Sequence, residues 1–98
     1  MHITDSHNHL HFSEFHKDLS AVVDRARHAG VHTMLLVGID HEDAIRALHL
    51  AETGKSLFVS IGIHPQKARA YSREDILSLA PLASRQAVVA VGETGFDL

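Results

Sequence analysis

Short apolar runs alternate with amphipathic stretches along the whole chain, and this alternation constrains the fold more than any single residue does. Residues 2–7 (HITDSH) read as a first strand, and residues 31–37 (VHTMLLV) are a near-continuous apolar run, as in a strand covered on both faces. Residues 57–63 (LFVSIGI) and 87–91 (AVVAV) supply a third and a fourth strand. Between the first two strands, residues 16–29 carry Leu19, Val22, Val23 and Ala26 at i, i+3, i+4, i+7 spacing, which predicts a helix, and Gly30 supplies its stop. Asp40 can cap a second helix whose buried stripe is Ala44, Ile45, Leu48 and Ala51 and whose end is Gly54. Ser72-Arg73-Glu74-Asp75 resembles a capping box ahead of a helix carrying Ile76, Leu77, Leu79 and Ala80, which Pro81 interrupts. The order βαβαβαβ predicts an α/β fold: a parallel sheet with helical crossovers. Four such strands make an open sheet, or the first half of a (β/α)8 TIM-type barrel, which typically needs ~250 residues.

Composition narrows the chemistry. Ninety-eight residues make one small domain at most. There is no cysteine, so disulfides and thiolate metal sites are excluded, and histidine and carboxylates are the available ligands. No apolar run approaches the ~20 residues of a membrane span. No basic segment followed by an apolar one opens the chain, so no signal peptide and a cytoplasmic location are expected. The net charge of −3 does not suit a protein that holds nucleic acid by bulk charge, so any such contact should be local to a site.

In parallel α/β architectures chemistry gathers at the carboxyl ends of the strands. Here those ends read Asp5-Ser6-His7-Asn8-His9, Val37-Gly38-Ile39-Asp40, Gly62-Ile63-His64-Pro65 and Gly92-Glu93-Thr94-Gly95-Phe96-Asp97. Gly62, Gly92 and Gly95 are expected to allow close approach. The two-residue strand period puts Ile3, Asp5, His7 and His9 on one face, Val89, Val91 and Glu93 on another, and Ser60, Gly62 and His64 on a third. If those faces share an axis, His7, His9, His64 and Glu93 meet at one mouth. Two imidazoles at i, i+2 and a carboxylate suit a divalent metal such as Zn2+. Glu93 can bridge two metals, and Asp5 can orient an imidazole from behind.

Each assignment has a competitor. With 10 histidines in 98 residues, roughly one His-x-His pair arises by chance, so His7 and His9 can be a polar strand end in a histidine-rich chain. Glu93 can be a solvated acid at a glycine turn, His64-Pro65 a simple turn, and Asp97 a cap or loop acid. His11, His16, His28, His32, His41 and His49 read as surface or helix-face residues without chemistry. Lys17, Arg25, Arg27, Arg46 and Arg69 are scattered and form no nucleic-acid patch.

Taken together, DSHNHL at the first strand, GIHP at the third and VGETGFD at the fourth resemble the TatD family of metal-dependent hydrolases, and the helix after the first strand, ending RARHAGV, fits the family's pattern there. The resemblance covers essentially the whole chain. It implies a (β/α)8 barrel that hydrolyses DNA phosphodiesters, often as a 3′→5′ exonuclease, with a divalent metal pair (Zn, Mg or Mn). By this resemblance His7 and His9 ligate one metal, Glu93 bridges both, and the catalytic set is Glu93 with His64, which helps hold the substrate phosphate. Asn8 departs from the cysteine or small residue common in relatives. The larger departure is length: the family's further ligands, two histidines and an aspartate on later strands, have no counterpart among these residues.

The chain is thus expected to be the N-terminal part, residues 1–98, of a single hydrolase barrel domain. A half barrel leaves open edges at its first and fourth strands and an exposed inner face, a pairing liability. A longer parent protein, a truncated gene product, and self-association through the open edges each account for it. Two other readings stand beside the deoxyribonuclease: an amidohydrolase-like or phosphomonoesterase barrel, against which GETGFD speaks, and a non-catalytic remnant that binds metal weakly or not at all.

Overall fold

The computed structural model describes residues 1–98. Strands β1 (Ile3–Asn8), β2 (Val31–Val37), β3 (Leu57–Ile61) and β4 (Val88–Val91) form one parallel sheet in the order β1-β2-β3-β4. Helices α1 (Leu19–His28), α2 (His41–Thr53) and α3 (Arg73–Leu77) make the crossovers, with 3-10 turns at Ser13–Phe15, Pro65–Ala70 and Ala80–Ser84. The expected βαβαβαβ order is therefore present, and consecutive strands are neighbours throughout.

The core lies on the helix-covered side of the sheet. Met34 and Leu36 of β2 and Leu57, Val59 and Ile61 of β3 pack with Val23 of α1, with Ala44, Ala47, Leu48 and Ala51 of α2, and with Leu79 and Leu82. Each fully buried Leu, Met or Val contributes about 1.5–3 kcal/mol by leaving water. On β4, Val88 packs against this core, whereas its neighbours Val89 and Val91 are exposed, Val91 at 78%. Strand alternation sends these two to the opposite face, which no helix covers.

Several boundaries differ from the sequence reading, each for a local reason. The segment from His16 does not become helical until Leu19, because a separate 3-10 turn (Ser13–Phe15) closes the preceding loop first. α2 begins at its Asp40 cap, whose side chain accepts the Asp43 N–H at 2.8 Å, and it ends at Gly54 as expected. Its buried stripe is Ala44, Ala47, Leu48 and Ala51 together with Asp43; Ile45 lies off that stripe and is 44% exposed. The Ser72 capping box is formed with Asp75, but α3 stops at Leu77. Leu77 is four residues before Pro81, whose ring clashes with the carbonyl at that position in a continuing helix. Ile76 and Leu77 consequently remain exposed, while Pro81 enters the next 3-10 turn. β3 ends at Ile61, two residues short of the apolar run.

Candidate metal centre

The carboxyl ends of β1, β3 and β4 bring four side chains to one place. His7 is in β1 and His9 just beyond it; His64 follows β3, and Glu93 follows β4. His7 Nε2 and His9 Nε2 lie 3.5 and 3.8 Å from Glu93 Oε2, and His64 Nε2 lies 3.6 Å from Glu93 Oε1. The route by which β1 delivers its histidines is less regular than simple alternation. Asp5 pairs with Met34 but Asn8 with Leu36, so an extra residue is accommodated around Ser6 and His7. Such bulges re-aim side chains. Asp5 holds this one: its carboxylate accepts the His7 backbone N–H at 3.1 Å and the Asn8 amide at 3.3 Å, and it touches neither imidazole.

Close approach of the strands is needed for Glu93 to reach the histidines. A Cβ on Gly62 would lie 2.6 Å from the Glu93 carbonyl oxygen, so only glycine fits between β3 and the segment carrying Glu93. At Gly92 and Gly95, where close approach is also expected, an added Cβ meets nothing; both have positive φ, +154° and +114°.

Hydrogen bonds assign different roles to the imidazoles. His9 Nδ1 lies 2.8 Å from the Val37 carbonyl oxygen, which only accepts, so Nδ1 carries the proton and Nε2 presents a lone pair towards Glu93. His64 is the reverse: its Nδ1 accepts the Gln66 backbone N–H at 3.1 Å, which leaves the proton of the neutral ring on Nε2. His9 thus has a free lone pair at Nε2, where His64 has a hydrogen-bond donor. His7, His9 and Glu93 each offer one donor atom, all within 4.8 Å of one another. Donors about 2.0–2.1 Å from a tetrahedral Zn2+ lie ~3.4 Å apart, so the 3.5 and 3.8 Å separations from Glu93 are near that spacing, and the trio, which extends up to 4.8 Å, would draw in around an ion.

Beside these residues is a cleft of about 270 Å3, lined by His9, His64, Glu93, Phe12, Gln66 and Lys67. Lys67 is held at its edge by a 2.9 Å ion pair with Asp40, which also accepts the Tyr71 hydroxyl at 2.9 Å. Burial pushes the Asp40 carboxyl up, but the Asp43 backbone N–H, Lys67 and Tyr71 outweigh it and hold it below the usual carboxylate range. The same hydrogen bond to Asp40 raises Lys67, which stays cationic. A larger groove of about 470 Å3, lined by Leu10, Leu19, Ile45 and Leu50 among others, brings together no trio of metal-ligating atoms.

Comparison with known proteins bears directly on this arrangement. Residues 4–98 match the TatD related DNase family. The chain belongs to that family. It is 33% identical over 93 residues to the uncharacterized metal-dependent hydrolase YabD of Bacillus subtilis, covering 95% of this chain and 36% of that protein. It is 42% identical over 86 residues to the 3′-5′ ssDNA/RNA exonuclease TatD of Musicola paradisiaca, covering 87% and 33%. The crystal structure of YjjV, a TatD homologue from Escherichia coli, superposes with a TM-score of 0.88 at 35% identity, covering 98% of this chain and 38% of that one. The chain spans about a third of the length of the curated relatives it matches. Its four strands are thus the first half of a TatD-type (β/α)8 barrel, and the uncovered face with Val89 and Val91 is the barrel's inner face. No helix is long and apolar enough to cross a membrane.

Within this TatD-family frame, the sequence reading put His7, His9, His64 and Glu93 at the mouth, and the structure brings all four together. It missed Lys67, whose place beside the cleft depends on Asp40 27 residues away. It was also wrong about His11. Read as a surface residue, His11 has a side chain only 1% exposed, with Nε2 2.7 Å from Asp43 Oδ2. Strand alternation ends at Asn8; beyond it the Phe12 N–H turns back to the His9 carbonyl, and the turn carries Leu10 and His11 inward. The exposed histidines, among them His16, His28 and His49, are as expected.

Proposed function

We propose that residues 1–98 are the N-terminal part of a single metal-dependent hydrolase barrel domain that cleaves phosphodiester bonds in DNA. The observation that carries this is the pairing of ligand and donor histidines around one carboxylate: His9 Nε2 offers a lone pair and His64 Nε2 a proton, with Glu93 between them. His7, His9 and Glu93 would hold a divalent cation (Zn, Mg or Mn), and the two oxygens of Glu93 suit it to share a pair of ions. Ions there would polarise a phosphoryl oxygen and acidify a water. The three ligands present suffice for one ion, so a pair draws its remaining donors from outside these residues.

The chain's own groups account for substrate handling. His64 donates from Nε2 to a phosphate oxygen, and its Nδ1 bond to the Gln66 N–H keeps that proton in place. Lys67, fixed by Asp40, adds a positive charge at the cleft edge, local to the site as a chain of net charge −3 requires. The name of the Musicola relative, which includes single-stranded DNA and RNA, supports a single-stranded substrate. A cytoplasmic setting accords with this reading, and the open edges at β1 and β4 are where the rest of the barrel, or a second copy, would pair.

The test uses a barrel-length protein containing this segment. Single-stranded DNA, a small phosphate ester and an amide ester are offered with Mg2+, Mn2+ or Zn2+. DNA should be degraded, and His9→Ala and Glu93→Ala should each abolish the metal-dependent reaction. Full activity in either variant, or turnover of the amide ester alone, would overturn the assignment.

A further inference from the structure

We infer that His11 is a positioning residue for the metal centre, acting on His9 through Phe12 and on His64 through Asp43 and Ile39; this rests on the ligand roles proposed above. Its ring is enclosed, and Nε2 donates to the equally enclosed Asp43 carboxylate at 2.7 Å. Its Nδ1 is buried without a partner. An unpartnered buried nitrogen is unfavourable, and a phenyl ring would fill the same space without one. The imidazole is therefore explained by what Nε2 and the ring edge do.

Two routes lead outward. His11 meets Phe12 edge-on, with ring centroids 5.0 Å apart at 77°, and Phe12 stacks on His9 at 4.6 Å and 19°. The stack sets the plane of the His9 ring, and the Val37 carbonyl sets which nitrogen faces Glu93. On the other route, the Asp43 oxygen bound to His11 also accepts the Ile39 N–H at 2.9 Å. The Ile39 carbonyl in turn accepts the His64 N–H at 2.8 Å. One buried carboxylate thus ties the loop after β1 to the loop after β2, and through it to the backbone that carries His64. Outer partners of this kind commonly change metal affinity 10–100-fold when lost.

Four forms of the barrel-length protein containing this segment test the inference: the parent, His11→Leu, His11→Gln and Phe12→Leu. In the metal-free chain, long-range 1H–15N spectra should show His9 held with its proton on Nδ1 in the parent. That state should also hold in His11→Gln, which keeps an N–H at the ε position. It should become a mixture of tautomers in His11→Leu and Phe12→Leu. Titration with Co2+ alone should show affinity about 10–100-fold lower in those two variants, with recovery in His11→Gln. If His11→Leu does not melt cooperatively, Phe12→Leu decides, since it leaves the Asp43 bond in place. Unchanged tautomer and unchanged affinity in Phe12→Leu would overturn the inference. If the parent binds no Co2+, the metal reading fails, and the tautomer spectra alone judge His11.

Discussion

Two clusters of histidine and carboxylate draw on the same stretch of sequence and are built in opposite ways. His11 and Asp43 are closed on each other at 2.7 Å with both side chains 1% exposed, and Asp43 is further satisfied by the Ile39 N–H and Arg46. His7, His9 and His64 surround Glu93 at 3.5–3.8 Å, partly open to solvent, with no such close bond among them. One residue separates His9 from His11, yet the His11 ring completes a carboxylate and the His9 ring leaves a lone pair free. The satisfied Asp43 carboxylate in the first cluster holds loops together; the spare lone pairs in the second are what a cation needs.

The sharpest way to break this contrast is stability. Asp43→Ala leaves His11 without its buried partner and should cost about 3–5 kcal/mol by urea denaturation. Glu93→Ala, at the open cluster, should stay within about 0.5 kcal/mol. Similar losses in both would erase the distinction. Ligand should narrow the gap. Co2+ or Zn2+ at 100 times its dissociation constant should stabilise the parent by about 2.7 kcal/mol, and EDTA or His9→Ala should remove the gain.

Acid sharpens the comparison further. Burial raises the Asp43 carboxyl, but the His11 hydrogen bond, the Ile39 N–H and Arg46 outweigh it, and Asp40 is lowered likewise. Both folded values lie below the ordinary 3.8, so the stability these groups confer is fully present above about pH 4 and is lost as pH falls through the lowered values. Asp40→Asn, which keeps a capping side chain but loses the charge opposite Lys67, should cost roughly 0.2–1 kcal/mol at neutral pH and flatten that acid limb. An unchanged acid limb would remove Asp40 from the account. The smallest effect is expected at Lys67. In the barrel-length protein Lys67→Met should lower the slope of log affinity for single-stranded DNA against log salt by about 0.7, the value for one phosphate contact. An unchanged slope would place Lys67 in the Asp40 pair only.

The open cluster was legible in the sequence because its signals are local: His7-x-His9, His64 before Pro65, and Glu93 between glycines each mark a strand end. Topology then brings the ends together. The closed cluster was not legible, because His11 and Asp43 are 32 residues apart and nothing local marks the turn that carries His11 inward. The same limit hid Lys67; separately, Ile45 was put in the buried stripe in place of Ala47, two residues on. The extent of α3 was set by Pro81 acting back on Leu77, an effect the sequence reading registered as an interruption without locating it. The bulge around His7 left no sequence mark, yet it helps aim the His7 imidazole.

Gly62 has no functional group, and the space it leaves is occupied by the main chain of Glu93. In a random-mutagenesis screen scored by activity, position 62 would therefore emerge among the intolerant sites, indistinguishable by phenotype from a ligand. Nearly every substitution there would displace the carboxylate without altering any side chain of the mouth. Inheritance at this locus would guard an empty volume as strictly as it guards the histidines.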